Sequence, residues 1–232
     1  MTVDSKASPP SRGKAGPEQS KLRGYLTLFG GVCIHLFCGN LYLWGNISTY
    51  VVSYFNQVHG DPNATTEIAG IMLPLMILFQ AFTVPLGAYM QKRYNPKLVL
   101  LLGSVIMVGS VFIATFCHTW WAFTFFYGLM FPIGIGIVYY VPIMCGWEWF
   151  PEHKGTVTGV VVAGYGFGAF IFGFISTALA NPTNEKPTLD GKFFRDDVSK
   201  NVPNMLRICL IFWALLCVVS IATVSRNPEY VQ

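Results

Sequence analysis

Charge is scarce in this sequence of 232 residues. Asp, Glu, Lys and Arg make up 11% of it, against roughly a quarter in water-soluble domains. Hydrophobic residues reach 53% and aromatic residues 16%. Because so few charged side chains cannot cover the surface of a soluble globule, the composition excludes an ordinary water-soluble domain.

Closely spaced metal ligands and catalytic groups are also lacking. The six cysteines form no CxxC pair, and the four histidines, His35, His59, His118 and His153, are scattered. No nucleophile has a base and an orienting acid at usable spacing, and no carboxylate pair lies inside an apolar stretch. We therefore interpret the cysteines as buried small hydrophobic residues, and we expect no enzyme activity, cofactor, metal ion or nucleic-acid partner.

Long stretches without any Asp, Glu, Lys or Arg dominate what remains. A helix needs about 20 apolar residues to cross about 30 Å of hydrocarbon, and backbone polar groups in lipid must be satisfied within the helix. The stretches predict six transmembrane helices at approximately 25–55, 67–91, 97–117, 119–146, 155–180 and 204–225. The fold class predicted is all-α, an integral membrane six-helix bundle spanning residues 24–225.

The polar ends of the chain indicate its orientation. Residues 1–23 are rich in Ser, Pro, Gly and Lys and lack the apolar core of a secretory signal, so we expect a solvated tail that is not cleaved. Basic residues favour the cytoplasmic side, and placing the tail there brings ten of the 15 to that side: Lys6, Arg12, Lys14, Lys21, Arg23, Lys92, Arg93, Lys97, Lys154 and Arg226. We predict a multi-pass protein of a plasma or organelle membrane with both termini cytoplasmic, in which residues 226–232 begin a cytoplasmic linker or a C-terminal tail.

The turn after the second span carries a first family signal. Residues Gly87–Lys97 place a small residue before a cationic hairpin, a pattern that resembles the glycine, acid and basic-pair signature of major facilitator proteins. Gln91 stands where that signature usually has an aspartate. An ordinary basic cytoplasmic loop remains the alternative explanation.

Glycines in the fifth span predict a close helix contact. Gly164 and Gly168 are four residues apart, the spacing that lets two helix backbones approach in membranes. A nucleotide-binding role for these glycines is excluded, because that fingerprint needs a preceding strand in a soluble βαβ unit. We expect the fifth span to pack tightly against a neighbour.

Further segments carry a more specific resemblance. They are Asn40–Trp44 in the first span, Gln80 in the second, and Gly134–Tyr139, Trp149–Gly155 and Ala163–Gly168 in the second half of the chain. Their order and spacing resemble the oxalate/formate antiporter family, which is similar to monocarboxylate transporters. The resemblance covers roughly residues 24–225.

This resemblance implies the amino-terminal six-helix half of a major facilitator fold, with spans one to three and four to six as inverted repeats. It implies a carboxylate carrier whose site is a cage of aromatic rings, at positions matched here by Tyr42, Tyr139 and Tyr165. Gln80 matches a polar position near that cavity, where an amide can donate hydrogen bonds to a carboxylate. From the residues alone, packing is the favoured explanation for each tyrosine and also for His35, which can titrate near neutral pH but stays outside the predicted site.

The predicted function is transport of small carboxylate anions by alternating access. In the family that the chain resembles, the cationic residues that neutralise the substrate lie in the second half, and we expect no Lys or Arg inside the present spans. Transport therefore requires a second six-helix half, from a longer chain, a second copy or a partner. The alternative is a non-transporting structural or accessory subunit that docks into a larger membrane protein complex through its exposed apolar face.

Overall fold

The computed structural model of the protein describes residues 17–188 and 193–230. Over these residues it is helical and has no β-strand. Six helical segments are long and apolar enough to cross a membrane: Ser20–Leu41, Thr66–Arg93, Pro96–Ala114, Trp120–Trp149, Pro151–Ala180 and Asp196–Thr223. The predicted all-α six-helix fold is confirmed, while most of the polar tail, residues 1–16, lies outside the described residues.

Several spans are interrupted where the helix type changes. In the first, α1 (Pro17–Cys38) ends in a 3-10 turn at Gly39–Leu41 and continues as α2 (Trp44–Ser53) and a π-helical turn at Tyr54–Val58. The second and third spans are α3 (Thr66–Arg93) and α4 (Pro96–Ala114). The fourth span joins α5 (Trp120–Phe123) to α6 (Phe131–Trp149) through a π-helical stretch at Thr124–Met130. The fifth span is α7 (Lys154–Ala180), which follows a 3-10 turn at Pro151–His153. The sixth span joins α8 (Asp196–Ser199) to α9 (Val202–Thr223).

Polar side chains start the helices at the ends of the bundle. The Thr65 hydroxyl accepts a hydrogen bond from the Ile68 backbone N–H at 3.3 Å before α3, and Asn95 Oδ1 accepts one from the Lys97 N–H at 2.9 Å before α4. Each bond satisfies a donor that the helix itself leaves free. The turn between α3 and α4 is therefore defined locally by its sequence.

The loop after the first span is tied to the start of the fourth. Asp61 Oδ2 accepts a hydrogen bond from the Trp120 N–H at 2.7 Å, and Asp61 Oδ1 accepts one from the Asn63 N–H at 2.9 Å. Burial raises the pKa of the Asp61 carboxyl, but these hydrogen bonds outweigh burial and leave the pKa below its usual range. The ionised carboxylate thus stabilises the amino-terminal end of α5.

Glycines set the closest helix contacts. A Cβ atom on Gly168 of α7 would lie 2.1 Å from the Leu36 carbonyl oxygen of α1, and one on Gly164 would lie 2.7 Å from the Val32 carbonyl oxygen. No side chain fits at such distances, so the two backbones meet directly. The predicted tight packing of the fifth span is confirmed, and its partner is α1; α6 lies among α1, α3 and α4.

Arg207 corrects one expectation, since it lies in the second turn of α9 and therefore inside a span. Its Nε donates to Thr115 Oγ1 and its Nη2 to the Thr115 carbonyl oxygen, both at 3.2 Å, and its guanidinium lies 4.5 Å from the centroid of the Phe116 ring. The expectation that the spans hold no Lys or Arg is wrong. The side chain is engaged at the carboxyl end of α4, where it satisfies a free helix carbonyl.

The cysteines match their interpretation as small buried residues. All six are free and buried. Among the described residues, no group of three or more His, Cys, Asp or Glu side chains is arranged to hold a metal ion.

Candidate functional site

The break in the first span positions Tyr42. A Cβ atom on Gly39 would lie 1.9 Å from the Tyr165 carbonyl oxygen, so the 3-10 turn lies directly against α7. Tyr42 follows this contact at the end of the turn, and its ring centroid is 5.6 Å from that of Tyr165 in an edge-to-face arrangement of 79°. The glycine therefore brings the two rings together.

Gln80, Tyr139 and Tyr165 meet from three different helices. The Tyr165 hydroxyl of α7 donates a hydrogen bond of 2.9 Å to Gln80 Oε1 of α3. The Tyr139 ring of α6 lies 5.7 Å from the Tyr165 ring, tilted by 72°. The structure thus places all four residues that the sequence singled out in one cluster, which we call the tyrosine cluster: Tyr42, Gln80, Tyr139 and Tyr165.

The tyrosine cluster has a buried wall and an open side. The Tyr165 side chain is 8% exposed, whereas Tyr42 is 48% exposed, and Tyr139 and Gln80 lie between these extremes. The helices that carry Gln80 and Tyr165 also expose large apolar side chains, among them Phe82 on α3 and Phe174 on α7. A small molecule can reach the cluster from the open side.

The polar groups of the cluster are neutral hydrogen-bonding groups. Gln80 Oε1 is occupied by Tyr165, which leaves the two N–H donors of the Gln80 amide without a partner among the described residues. The rings are arranged edge-to-face, and the edge of an aromatic ring carries partial positive charge. N–H donors and ring edges together favour an electron-rich ligand such as a carboxylate.

His35 packs against the tyrosine cluster, although it stood outside the site that the sequence predicted. Its ring centroid is 5.0 Å from the Tyr139 ring and 6.3 Å from the Tyr165 ring, and its side chain is fully buried. Nδ1 lies 3.0 Å from the Gly31 carbonyl oxygen, one turn earlier in α1. The signal for this residue was an ionisable side chain inside a membrane span, which by itself indicates a functional position.

The chain is similar in sequence to known membrane transporters. The family model of the major facilitator superfamily matches residues 28–227. Apicoplast pyruvate carrier 1 of Toxoplasma gondii is 30% identical over 207 residues, which covers 75% of this chain and 38% of the carrier. The oxalate:formate antiporter of Oxalobacter formigenes is 26% identical over 119 residues, covering 51% of this chain and 28% of the antiporter.

A further relative is MFS-type transporter 1 of an Ophiocordyceps species, 28% identical over 151 residues, covering 65% of this chain and 32% of the transporter. The matches therefore span well under half the length of each of these three relatives.

Proposed function

The chain belongs to the major facilitator superfamily, and from this premise we propose that it forms the amino-terminal half of a membrane transporter for small carboxylate anions. Tyr42, Gln80, Tyr139 and Tyr165 then line the substrate site. The names of two relatives support the substrate class, since pyruvate, oxalate and formate are all small carboxylates.

The convergence of the tyrosine cluster carries the proposal. Residues far apart in the chain meet through the 2.9 Å hydrogen bond from Tyr165 to Gln80 and through two edge-to-face ring contacts. Polar groups within a membrane span cost free energy unless they face protein or water, so their positions indicate structural or binding roles. The Gln80 amide, whose N–H donors have no partner among the described residues, and the half-exposed Tyr42 ring, which contacts Tyr165, supply that binding role.

A second six-helix half completes the proposed transporter. Carriers of this fold hold substrate between two halves and move it by rocking one half against the other. The open side of the tyrosine cluster and the exposed apolar side chains of α3 and α7 provide a surface for that half, supplied by a second copy or by another polypeptide segment. The lipid bilayer covers the remaining apolar surface.

The basic end of the bundle supports a cytoplasmic location for that end. Lys97 Nζ donates to the Ala222 carbonyl oxygen at 3.1 Å, and Arg226 Nη2 donates to the carbonyl oxygens of Gln91 and Tyr94. These contacts join the turn between α3 and α4 to the segment after α9. We propose that this end of the bundle faces the cytoplasm, together with the amino and carboxyl termini of the chain, because basic residues accumulate on the cytoplasmic side.

Uptake by proteoliposomes tests the proposal. The protein, purified together with any chain that copurifies, is expected to take up labelled pyruvate, formate or oxalate with saturation. Tyr165→Phe removes the donor to Gln80 and should raise KM about fivefold, the equivalent of about 1 kcal/mol for one hydrogen bond. Tyr139→Ala removes a whole ring and should impair uptake more.

Tyr127→Phe is the matched control. Tyr127 is fully buried, and its hydroxyl has no hydrogen-bond partner among the described residues, so its loss should leave uptake unchanged. Absence of uptake by the native assembly, or equal kinetics for Tyr165→Phe and Tyr127→Phe, would contradict the proposal. Copurification with a large set of unrelated subunits and no uptake would instead indicate a structural or accessory subunit.

A further inference from the structure

Basic side chains gather where the turn between α3 and α4 meets the segment after α9. Lys97 Nζ donates to the Ala222 carbonyl oxygen at 3.1 Å, and Arg226 Nη2 donates to backbone carbonyl oxygens of the turn. These bonds leave donors unused, because the Lys97 ammonium has three N–H groups and Arg226 Nη1 has no hydrogen-bond partner among the described residues. The junction can therefore bind a further group that accepts hydrogen bonds.

Two adjoining grooves open at this junction. The first has a volume of about 390 Å³ and the second about 450 Å³. Both volumes lie within the range of about 300–1,000 Å³ that is typical of small-molecule sites. The grooves share Lys97, Ser225 and Arg226 in their walls, while the first adds Arg93 and the second adds Arg23. We call the pair the basic groove, with Arg23, Arg93, Lys97, Ser225 and Arg226 as its polar residues.

No acidic side chain of the groove offsets these cations. Neither wall contains Asp or Glu, and none of the four cations forms an ion pair with a carboxylate of the described residues. Glu148 lies near Arg226, but its side chain is buried and its Oε2 accepts a hydrogen bond from the Asn227 N–H at 3.2 Å. Like charges held close together repel, so a bound anion would relieve that repulsion.

The basic groove lies at the edge of the membrane-spanning part of the bundle. Arg93 is the last residue of α3, Lys97 lies in the first turn of α4, and Arg226 follows the end of α9. Cations at the ends of spans lie at the level of lipid headgroups. The groove is therefore placed to meet the phosphate groups of the bilayer.

An apolar surface begins where the basic groove ends. The exposed Leu26 of α1 belongs to the groove's own wall. The contacting helices α4 and α9 expose large apolar side chains, among them Leu98, Leu101 and Val105 on α4 and Leu215 and Val218 on α9. The second half proposed above covers α3 and α7, which leaves α4 and α9 to the bilayer. A free phosphate would use only the cations, whereas a phospholipid would use the cations and this apolar surface together.

We propose that the basic groove binds the headgroup of an anionic phospholipid, whose acyl chains lie along the apolar surfaces of α4 and α9. The Lys97 ammonium and the guanidinium groups of Arg23, Arg93 and Arg226 donate to the phosphate oxygens. In the orientation proposed above, this lipid belongs to the cytoplasmic leaflet, where anionic lipids are concentrated. The site goes beyond the proposed function, because it does not depend on which solute is transported.

A bound lipid would also strengthen the junction that forms the groove. Lys97 and Arg226 already join the turn to the end of α9, and one phosphate between them would hold both cations at once. A ligand that binds only the folded state stabilises that state. The unfolding temperature of the protein should therefore rise when an anionic phospholipid is added.

Lipid binding to the purified native assembly tests the site. The assembly, stripped of lipid in a non-ionic detergent, is titrated with phosphatidylglycerol or with phosphatidylcholine of the same acyl chains. Native mass spectrometry gives the fraction of protein with lipid bound. Phosphatidylglycerol should bind more tightly, because it carries a net negative charge, whereas the phosphate of phosphatidylcholine is neutralised by its choline.

Two double variants localise the binding. One Lys or Arg near an anionic membrane surface contributes about fivefold in affinity, so Arg93→Gln with Lys97→Gln should weaken phosphatidylglycerol binding about 25-fold. Lys186→Gln with Arg195→Gln is the matched control, since it removes two exposed cations from the opposite end of the bundle. The control should bind phosphatidylglycerol as the native protein does.

Unfolding temperatures give a second measurement if the first double variant does not fold. Phosphatidylglycerol should raise the unfolding temperature of the native assembly more than phosphatidylcholine does. Added salt should reduce this difference, because it screens contacts between exposed charges.

Three results would overturn the proposal. The first is equal affinity of the native assembly for the two lipids, and the second is an equal loss of binding in the two double variants. The third is displacement of phosphatidylglycerol by inorganic phosphate, with the same rise in unfolding temperature, which would assign the groove to a free anion. No part of this experiment uses a carboxylate substrate, so its result is separate from that of the uptake assay.

Discussion

Substituting Gly168 with alanine should destabilise the bundle by forcing α7 away from α1. The new Cβ atom would lie 2.1 Å from the Leu36 carbonyl oxygen and 3.0 Å from its carbonyl carbon, both backbone atoms. Ordinary contacts between a carbon and a carbonyl oxygen lie at about 3.3–3.6 Å, so the helices must separate by roughly 1 Å or more. Leu36 O also accepts a hydrogen bond from Asn40 Nδ2 at 2.9 Å, which the shift would disturb.

Gly166→Ala is the matched control for this change. Gly166 lies in the same helix, and no heavy atom lies within 4 Å of the place a Cβ would occupy. Both substitutions gain the same helix propensity, so the difference between them isolates the clash. Overpacking costs about 1–3 kcal/mol, and at about 2–4 °C per kcal/mol for a chain of this size Gly168→Ala should unfold roughly 2–12 °C below Gly166→Ala.

Thermal unfolding of the detergent-purified protein, followed by tryptophan fluorescence, measures this difference. Gly168→Ala should also reduce carboxylate uptake, because its Cβ would reach within 3.3 Å of Gly39, the residue that brings Tyr42 to Tyr165. Equal unfolding temperatures for the two variants would refute the direct backbone contact between α1 and α7.

The remaining predictions concern single hydrogen bonds and pH. Trp44→Phe removes the 2.9 Å bond from Nε1 to the Ala69 carbonyl oxygen and should lower the free energy of unfolding by about 0.5–1.5 kcal/mol, the net contribution of one hydrogen bond, since this carbonyl lies inside α3 and keeps its helix bond. Folding lowers the pKa of Asp61, so the stability that its carboxylate contributes is present above the unfolded pKa and lost as pH falls through the folded pKa. Asp61→Asn should therefore make the unfolding temperature less dependent on acid pH. Burial, and after it the charge of His118, lowers the pKa of His59. The stability that His59 contributes is therefore present above its unfolded pKa of about 6.5 and lost as pH falls through its folded pKa. In a pH series of unfolding temperatures, His59→Gln should reduce that loss.

The number of spans and the character of the turn between α3 and α4 follow from the sequence alone. Uncharged stretches long enough to cross a bilayer predict helices, because lipid offers no hydrogen-bond partner for backbone N–H and carbonyl groups. Asn95 and Pro96 start α4 through interactions with near neighbours in the chain, which need no distant contact. Gly164 and Gly168 likewise predicted a close contact between helices, since only small residues permit one.

Only the tertiary structure decided which side chains meet. Both faces of a membrane helix are apolar, so the sequence pattern scarcely indicates which face turns toward a neighbour, and the residues alone favoured packing for the tyrosines that converge with Gln80. The resemblance to a family marked their positions, but the contact of His35 with Tyr139 and the hydrogen bonds of Arg207 to Thr115 became visible only when α1, α4, α6 and α9 were in place. Local chemistry determines that a segment crosses the membrane, whereas the rotation of each helix about its axis depends on contacts between residues far apart in the chain.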